Sequence, residues 1–167
     1  VLYLCGKVGM FAQALRDGGV PVAHHIDVEI DEASRGIAAA HHDIDHTTLP
    51  QDLTQVTQAD IERATEKYGP IDLIVATTPC QGLSRANEGG AGPADPRSGL
   101  FVKAIEIIRT VQAENPNVQF IAENVDFRDT HPGDYRTVCD SLGEAEFINA
   151  ADTSGSSIRR LFWHNLG

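Results

Sequence analysis

The residues with the clearest chemical potential are a cysteine and a glutamate that each follow an apolar segment. Cys80 stands in Thr78-Pro79-Cys80-Gln81, after the apolar run 71–76, and Glu123 opens Glu123-Asn124-Val125, after the apolar run 118–122. A thiolate is a strong nucleophile and a carboxyl group can donate a proton or a hydrogen bond, so the two could act as nucleophile and acid. Taken alone, Cys80 is more typical of a buried structural cysteine near a turn.

The elements around these residues predict that they share one edge of a sheet. Both apolar runs are short and rich in β-branched residues, which is typical of buried parallel strands. Pro79 has no N–H to give to a strand ladder, so Cys80 should lie just past the carboxyl end of its strand, where open α/β sheets bind ligands. A neighbouring parallel strand places Glu123 at the same edge. The Gly- and Pro-rich segment 85–98 is long for a compact domain, which predicts a closing lid.

The N-terminal part has the pattern of a nucleotide-binding unit. A predicted strand over 1–5 is followed by the turn 6–9, with Gly6 and Gly9, and by a helix over 10–17. Such a turn leaves backbone N–H groups and a helix N-terminus facing a ligand. A second strand over 23–30 carries Glu29 about twenty residues beyond the turn, where dinucleotide-binding folds place a ribose-binding acid. The alternative is that Glu29 is an ordinary charge ahead of a helix.

The remaining pattern predicts an α/β fold, a mostly parallel sheet with helices on both faces. Further helices are predicted over 33–40, from the N-cap Thr57 to Tyr68, from Gly99 to the break at 115–116, and over 134–142. A short strand is predicted over 43–46, and two strands, predicted to be antiparallel, over 146–150 and 158–163. With no internal repeat or linker, residues 1–167 are interpreted as a single domain.

Composition narrows the classes of function. Hydrophobic residues make up 41% of the chain, typical of a globular fold, and no apolar run reaches membrane-spanning length. The three cysteines have no paired spacing, which favours a reducing compartment over disulfides. The histidine pairs at 24–25 and 41–42 lack partners at zinc-ligand spacing, so no metal is predicted. A net charge of −11 argues against nucleic-acid binding by this chain alone. It is compatible with an enzyme whose DNA-recognition region lies elsewhere.

Taken in order, these motifs resemble the DNA cytosine-5 methyltransferases. The order is the glycine turn, Glu29, Asp52, Pro79-Cys80-Gln81, Gly99-Leu100-Phe101, Glu123-Asn124-Val125 and Arg160. The loop with Cys80 is similar to the bacterial enzymes, whereas the spacing and the ending Phe162-Trp163-His164-Asn165 are more similar to the eukaryotic de novo branch. The resemblance covers essentially the whole chain. It implies a Rossmann-like S-adenosylmethionine-dependent methyltransferase fold.

The resemblance also implies a reaction and a role for each matching residue. S-adenosylmethionine would give its methyl group to carbon 5 of a cytosine flipped out of duplex DNA. Cys80, next to Pro79 in the catalytic motif, would attack carbon 6, Glu123 would hold ring nitrogen 3, and Arg160 would hold the base carbonyl region. The cofactor would be bound by Leu4, Cys5, Gly6, Glu29, Ile30, Asp52, Leu53, Thr77 and Leu100. Such an enzyme is intracellular, in the nucleus of a eukaryote or in the cytoplasm or nucleoid of a prokaryote or virus.

Several positions depart from the family pattern. Leu4 stands where the family has an aromatic residue that stacks on adenine, Lys7 replaces a small or apolar residue, and Ile158 replaces the first of two arginines in the last strand. The chain opens on Val1 without a lead-in and stops at Gly167, before a target-recognition region. An incomplete catalytic domain that works with a missing segment or a partner chain is therefore expected.

Two other classes of function stay open. One is a catalytically impaired, methyltransferase-like regulatory or binding subunit that pairs with an active chain. The other is a nicotinamide-dependent Rossmann oxidoreductase, against which the lack of a full Gly-x-Gly-x-x-Gly turn argues.

Overall fold

The strands form one seven-stranded sheet. A computed structural model of the chain describes residues 1–79, 99–152 and 155–167. In the order β3-β2-β1-β4-β5-β7-β6, the first five strands are parallel and β7 runs antiparallel between β5 and β6. The strands are β1 Leu2–Leu4, β2 His25–Val28, β3 Ile44–Asp45, β4 Leu73–Ala76, β5 Gln119–Val125, β6 Glu146–Asn149 and β7 Arg159–His164. The predicted α/β fold and the antiparallel last strands are confirmed.

Helices cover both faces of the sheet, as predicted. They are α1 Met10–Asp17, α2 Glu32–His41, α3 Gln58–Tyr68, α4 Gly99–Glu114 and α5 Pro132–Leu142. Side chains alternate along β1, so Tyr3 packs with residues of α1 and α2, whereas Leu2 and Leu4 pack with residues of α3, α4 and α5. On α1, Ala12 is buried and Phe11 and Leu15 are partly buried against the same cluster, whereas Met10 is 67% exposed.

Local sequence explains where the described helices begin. Thr57 and Asp60 form a capping box at the start of α3, which confirms the predicted N-cap. Asp31 caps α2 by accepting a hydrogen bond from the Ser34 N–H at 2.8 Å. The carboxylates at both helix starts also complement the helix dipole.

The carboxylate of Asp45 ties β3 to the end of α3. It accepts hydrogen bonds from the backbone and side chain of Thr47 and Thr48 and from the Tyr68 hydroxyl, and it pairs with Lys67 at 3.2 Å. Burial alone would raise the pKa of Asp45, but the hydrogen bonds from Thr48, Tyr68 and Thr47 outweigh it and hold the pKa well below its usual range.

The C-terminal strands are held by an aromatic cluster and an asparagine. Trp163 on β7 is fully buried and its ring lies 5.5 to 6.2 Å from the rings of Phe101, Phe127 and Tyr135. Asn165 continues the pairing beyond β7, because its amide accepts from the Phe120 N–H at 2.8 Å and donates to the Val118 carbonyl at 2.9 Å. These contacts fix β7 against β5.

Neither a membrane span nor a metal centre is found in the described ranges. None of the helices there is both long enough and apolar enough to cross a bilayer. In the same residues, no three His, Cys, Asp or Glu side chains are close enough to hold a metal ion.

Candidate active site

The register of the sheet brings the predicted site residues to one edge. Leu4 pairs with Val28 and with Ala76, and Ala76 pairs with Ala122. The residues that directly follow Leu4, Val28, Ala76 and Ala122 are, in the same order, Cys5, Glu29, Thr77 and Glu123. All four therefore lie at the carboxyl edge of the parallel strands, where ligands bind in this class of fold.

Hydrogen bonds between the strand ends fix this edge. The Cys5 N–H donates to the Val28 carbonyl at 2.8 Å, and the Thr77 N–H donates to the Leu4 carbonyl at 3.0 Å. The Thr77 hydroxyl donates to the Cys5 carbonyl at 2.7 Å. The predicted cofactor residues Leu4, Cys5 and Thr77 are thus one connected backbone unit.

The turn between β1 and α1 is conformationally demanding. Cys5 and Lys7 have positive φ values of 64° and 53°, which are uncommon for residues with a side chain. Gly9 has a φ of 83°, and a Cβ there would lie 2.6 Å from the His42 ring, so both the backbone and the space require glycine. Positive φ values at non-glycine residues often mark functional sites.

Two carboxylates of the β2 segment occupy N–H groups of this turn. The Gly6 N–H donates to Asp27 Oδ1 at 3.0 Å, and the Lys7 N–H donates to Glu29 Oε2 at 3.1 Å. The sequence pattern predicts that the turn's N–H groups face a ligand. For Gly6 and Lys7 this expectation is wrong, because acids of the neighbouring strand segment take both donors.

Glu29 lies buried between the glycine turn and the start of α2. Its carboxylate is 1% exposed, accepts from the Asp31 N–H at 2.9 Å and pairs with the Lys7 ammonium group at 3.4 Å. Lys7, a departure from the family pattern, thus reaches the predicted ribose ligand. Ile30, another of the predicted cofactor-binding residues, is 67% exposed at the same edge.

The side chains of Leu4 and Cys5 face the protein interior. Leu4 is fully buried in the core, so only its backbone is available to a ligand. Burial, followed by the charge of Glu29, raises the pKa of the Cys5 thiol to about 12. Cys5 is therefore a poor nucleophile, and its predicted role at the cofactor rests on its backbone.

The other predicted cofactor residues lie outside the sheet, at a short 3-10 helix and on α4. Asp52 caps the short 3-10 helix Leu53–Gln55, accepting from the Thr54 N–H at 2.9 Å and the Thr54 hydroxyl at 2.7 Å. Leu53 is buried, and helix α4, which carries the half-buried Leu100, packs against this 3-10 helix. Cofactor contacts by Asp52, Leu53 and Leu100 stay predictions.

Glu123 and Arg160 form an ion pair at the edge of β5. Strand β5 extends to Val125, three residues further than predicted, because β7 pairs with it there, so Glu123 lies inside the strand. The Arg160 Nε atom is 2.5 Å from Glu123 Oε1. Burial raises the pKa of Glu123, and the charge and hydrogen bond of Arg160 oppose that rise. The sequence pattern predicts both residues at the site, and the structure brings them into contact.

A second arginine lies on the opposite face of β7, as strand alternation predicts. Arg159 pairs with Asp126 at 2.9 Å, and Arg128 pairs with the same carboxylate at 2.9 Å. Both guanidinium groups lie over the Phe147 ring, that of Arg128 at 4.6 Å and that of Arg159 at 5.3 Å from its centroid. Ile158, which takes the place of an arginine, is 46% exposed.

The described part of the segment after β4 ends at Pro79. Thr78 is 4% exposed and Pro79 is half-buried, three residues beyond the last residue of β4. The predicted nucleophile Cys80 and the predicted lid 85–98 lie outside the described residues.

Sequence reasoning missed two polar residues near the glycine turn, the buried Asp27 and the partly buried His46. Asp27 and His46 are close to each other, and both carry side-chain atoms without hydrogen-bond partners in the described ranges. A carboxylate in the middle of the predicted second strand, two residues before Glu29, was the available indication of Asp27. His46 had none, since it follows a two-residue strand.

Comparison with known proteins decides the family. A profile of C-5 cytosine-specific DNA methylases matches residues 2–150. The chain belongs to that family. One curated protein similar to this chain is the type II methyltransferase M1.HphI of Haemophilus parahaemolyticus. The two are 36% identical over 88 residues, which is 52% of this chain and 22% of that protein.

Solved structures show the same fold at low identity. A protein described as a prophage-encoded DNA modification methyltransferase (E. coli) matches with a TM-score of 0.64 and 22% identity over 98% of this chain. Dnmt2 of S. pombe matches with a TM-score of 0.69 and 19% identity over 98%, and EhMeth of Entamoeba histolytica with 0.67 and 13% over 99%. This methylase-family chain spans 45%, 49% and 52% of those three chains, about half of each.

Proposed function

We propose that this chain is the cofactor-binding and catalytic part of a DNA cytosine-5 methyltransferase. The observation that carries the proposal is the Glu123–Arg160 ion pair at the carboxyl edge of the sheet. The chain belongs to the C-5 cytosine-specific DNA methylase family, and the pair lies at the same edge of the sheet as the turn after β1, from which it is separated by β4. A carboxyl group held by an arginine at this edge is suited to the ring nitrogen of a flipped base.

The acidic turn fits S-adenosylmethionine better than a phosphate-bearing cofactor. This donor carries a sulfonium cation, which supplies an activated methyl group when bound. The buried carboxyl groups of Asp27 and Glu29 occupy the Gly6 and Lys7 N–H groups that a pyrophosphate would need. Carboxylates near the turn favour a cation and disfavour an anion. This arrangement also argues against the nicotinamide-dependent alternative.

The roles proposed for the chain's own residues follow the electronic needs of cytosine. Carbon 5 is a poor nucleophile until a thiolate adds to carbon 6, and Cys80 is the proposed thiolate. Glu123 would hold nitrogen 3 and offset the charge that develops on the ring. A raised pKa favours the protonated, hydrogen-donating form of Glu123 for this task. Once carbon 5 is methylated, loss of its proton expels the Cys80 thiolate and restores the ring.

DNA is the proposed macromolecular partner. The chain has a net charge of −11, yet three arginines, Arg128, Arg159 and Arg160, lie where β5 ends and β7 begins. Asp126 and Glu123 already pair with these three arginines, so the cluster supports contact with at most one short stretch of DNA backbone. A further segment or a partner chain would supply target recognition. An enzyme of this kind acts inside the cell, where its DNA substrate is.

Methyl transfer from a radiolabelled donor to DNA tests the proposal. The assay uses the full natural protein that carries this chain. Cys80→Ser should lower the rate by about 1,000-fold or more and Glu123→Gln by about 100-fold or more. Cys139→Ser, on α5, is the matched cysteine control and should transfer at the wild-type rate. Transfer by Cys80→Ser at a rate close to wild type would refute the nucleophile.

A second candidate is a methyltransferase-like subunit with impaired catalysis. The Lys7 ammonium group pairs with Glu29, and the fully buried Leu4 offers no aromatic ring to adenine. Both features favour weak cofactor binding. This candidate predicts no transfer by the protein alone and a higher rate when it is mixed with a second, active methyltransferase chain. In that case Lys7→Ala should strengthen cofactor binding.

A further inference from the structure

Asp27 is in direct contact with the glycine turn. It lies on β2 opposite Tyr3 of β1 and its side chain is 1% exposed. Its Oδ1 atom accepts the Gly6 N–H, and a Cβ built on Gly6 would lie 2.7 Å from that oxygen and 2.9 Å from the carboxyl carbon. The position of the turn therefore depends on the position of this carboxyl group.

The second oxygen of Asp27 faces a histidine. His46 Nδ1 is 3.7 Å from Asp27 Oδ2, and the imidazole is 10% exposed. Asp27 Oδ2 and both ring nitrogens of His46 have no hydrogen-bond partner in the described ranges. Buried polar atoms without partners are costly, and a small rotation of either side chain would place one proton in a hydrogen bond between Oδ2 and Nδ1.

Burial and the neighbouring charges act on both members of the pair. Glu29 and Lys7 act on Asp27, and Asp27 in turn acts on the Tyr3 hydroxyl. Burial, opposed by the Gly6 N–H and reinforced by Glu29, raises the pKa of Asp27 to about 7.

On the other side of the pair, Arg35, Asp45 and Glu29 act on His46. Burial, followed by the charge of Arg35, lowers the pKa of His46. A raised pKa at the acid and a lowered pKa at the base favour the state in which the carboxyl group of Asp27 carries a proton and the His46 ring is neutral.

We propose that Asp27 is a positioning residue for the cofactor turn and that it shares one proton with His46 through Oδ2 and Nδ1. The inference rests on the proposed use of S-adenosylmethionine. When the pair loses its proton, Asp27 holds the Gly6 N–H as a charged acceptor and adds negative charge beside a cationic cofactor. Cofactor affinity therefore rises as the pH rises through neutrality.

The first experiment needs no cofactor. An NMR titration of the chain from pH 5.5 to 8.5 follows the Gly6 amide and the His46 ring. Both should change with one common midpoint. Asp27→Asn keeps an oxygen for the Gly6 N–H but removes the acid, so the Gly6 titration should vanish. Asp43→Asn and His41→Gln, both exposed, are the matched controls and should leave the midpoint in place. A Gly6 amide that does not titrate in the wild type would overturn the inference.

The second experiment measures S-adenosylmethionine binding by calorimetry. Wild-type affinity should rise by about threefold or more between pH 6 and pH 8, whereas Asp27→Asn should bind with an affinity independent of pH. Asp27→Ala, which loses the acceptor as well, should bind about tenfold or more weakly than Asp27→Asn. Equal pH dependence in wild type and Asp27→Asn would overturn the inference.

A double-mutant cycle checks the contact itself. Gly6→Ala should weaken binding in the wild type because its Cβ meets the Asp27 carboxyl group, and the loss should be smaller in an Asp27→Ala background. Additive losses would overturn the proposed contact. If the wild type binds no S-adenosylmethionine at any pH while the Gly6 amide titrates, the proposed function fails and the proton-sharing pair stands.

Discussion

Trp163 should tolerate replacement by phenylalanine but not by alanine. It is the single tryptophan of the chain, it is fully buried, and it packs against three aromatic rings. Removing a buried ring of this size costs about 3–5 kcal/mol. At about 2–4 °C per kcal/mol for a chain of this length, Trp163→Ala should lower the melting temperature by about 6–20 °C.

Phenylalanine at position 163 should cost much less stability than alanine, because it keeps an aromatic ring while removing the indole N–H. The Trp163 Nε1 atom is buried and has no hydrogen-bond partner in the described ranges, a condition that costs about 1–3 kcal/mol. Phenylalanine removes that cost and also two ring carbons, whose burial contributes about 1.5 kcal/mol. The two effects nearly cancel, so the free energy of unfolding of Trp163→Phe should lie between about 0.5 kcal/mol below and about 1.5 kcal/mol above wild type.

Urea denaturation followed by far-ultraviolet circular dichroism measures both variants, since tryptophan fluorescence is lost in each. Phe162→Leu, a half-buried neighbour whose side chain points to the other face of β7, serves as the control. A Trp163→Phe protein as unstable as Trp163→Ala would show that the indole N–H is satisfied. A Trp163→Ala protein as stable as wild type would refute the role of this cluster in holding the strand that carries Arg160.

Three further predictions concern side chains outside the aromatic cluster. Asp45→Asn should lower the free energy of unfolding at pH 7 by about 1–3 kcal/mol. Because the native pKa of Asp45 is lowered, its contribution is fully present above about pH 4 and declines as the pH falls from there towards the native pKa, so urea denaturation at pH 3.5 should show a smaller difference. Asn165→Ala should cost about 1–3 kcal/mol in the same assay, since two backbone groups of the β5 segment lose their partner. Cys5 should resist iodoacetamide at pH 8 in the native state, as read by peptide mass spectrometry, because its thiol has a pKa of about 12.

The two stability predictions each have a matched control in the chain. Asp43→Asn and Asn117→Ala change exposed side chains and should leave the free energy of unfolding within about 0.5 kcal/mol of wild type. Equal effects of Asp45→Asn at both pH values would contradict the lowered pKa of Asp45. An Asn165→Ala protein as stable as wild type would contradict the role of the Asn165 hydrogen bonds. Rapid alkylation of Cys5 in the folded protein would contradict the burial of its thiol.

Strong periodic patterns predicted the fold well. The helix over 10–17 matches α1 at both ends, because Gly9 and Gly18 leave little choice of boundary. The end of β5 was placed three residues early, since Glu123 and Asn124 interrupt the apolar run that marked it. The pairing of β7 extends the strand, and that pairing is a long-range contact that local sequence does not specify.

The sequence predicted which residue types lie at the candidate site, but not the hydrogen bonds and ion pairs that they form there. A carboxylate at Glu29 was expected from its position along the chain, and an arginine at Arg160 from the resemblance to the DNA cytosine-5 methyltransferases. The engagement of the turn's N–H groups by Asp27 and Glu29 was not, because spacing does not tell which way a strand carboxylate turns. The Lys7–Glu29 pair was missed for the same reason, although Lys7 itself was visible as a departure.

Covalent trapping tests the central claim most directly. DNA containing 5-fluorocytosine blocks the final proton loss at carbon 5, so a cytosine-5 methyltransferase stays bound to it through the attacking sulfur. With the full natural protein that carries this chain and S-adenosylmethionine present, we predict a denaturation-resistant DNA adduct that mass spectrometry maps to Cys80 and that Cys80→Ser abolishes. An adduct at another residue, or methyl transfer to DNA without any adduct, would contradict the account.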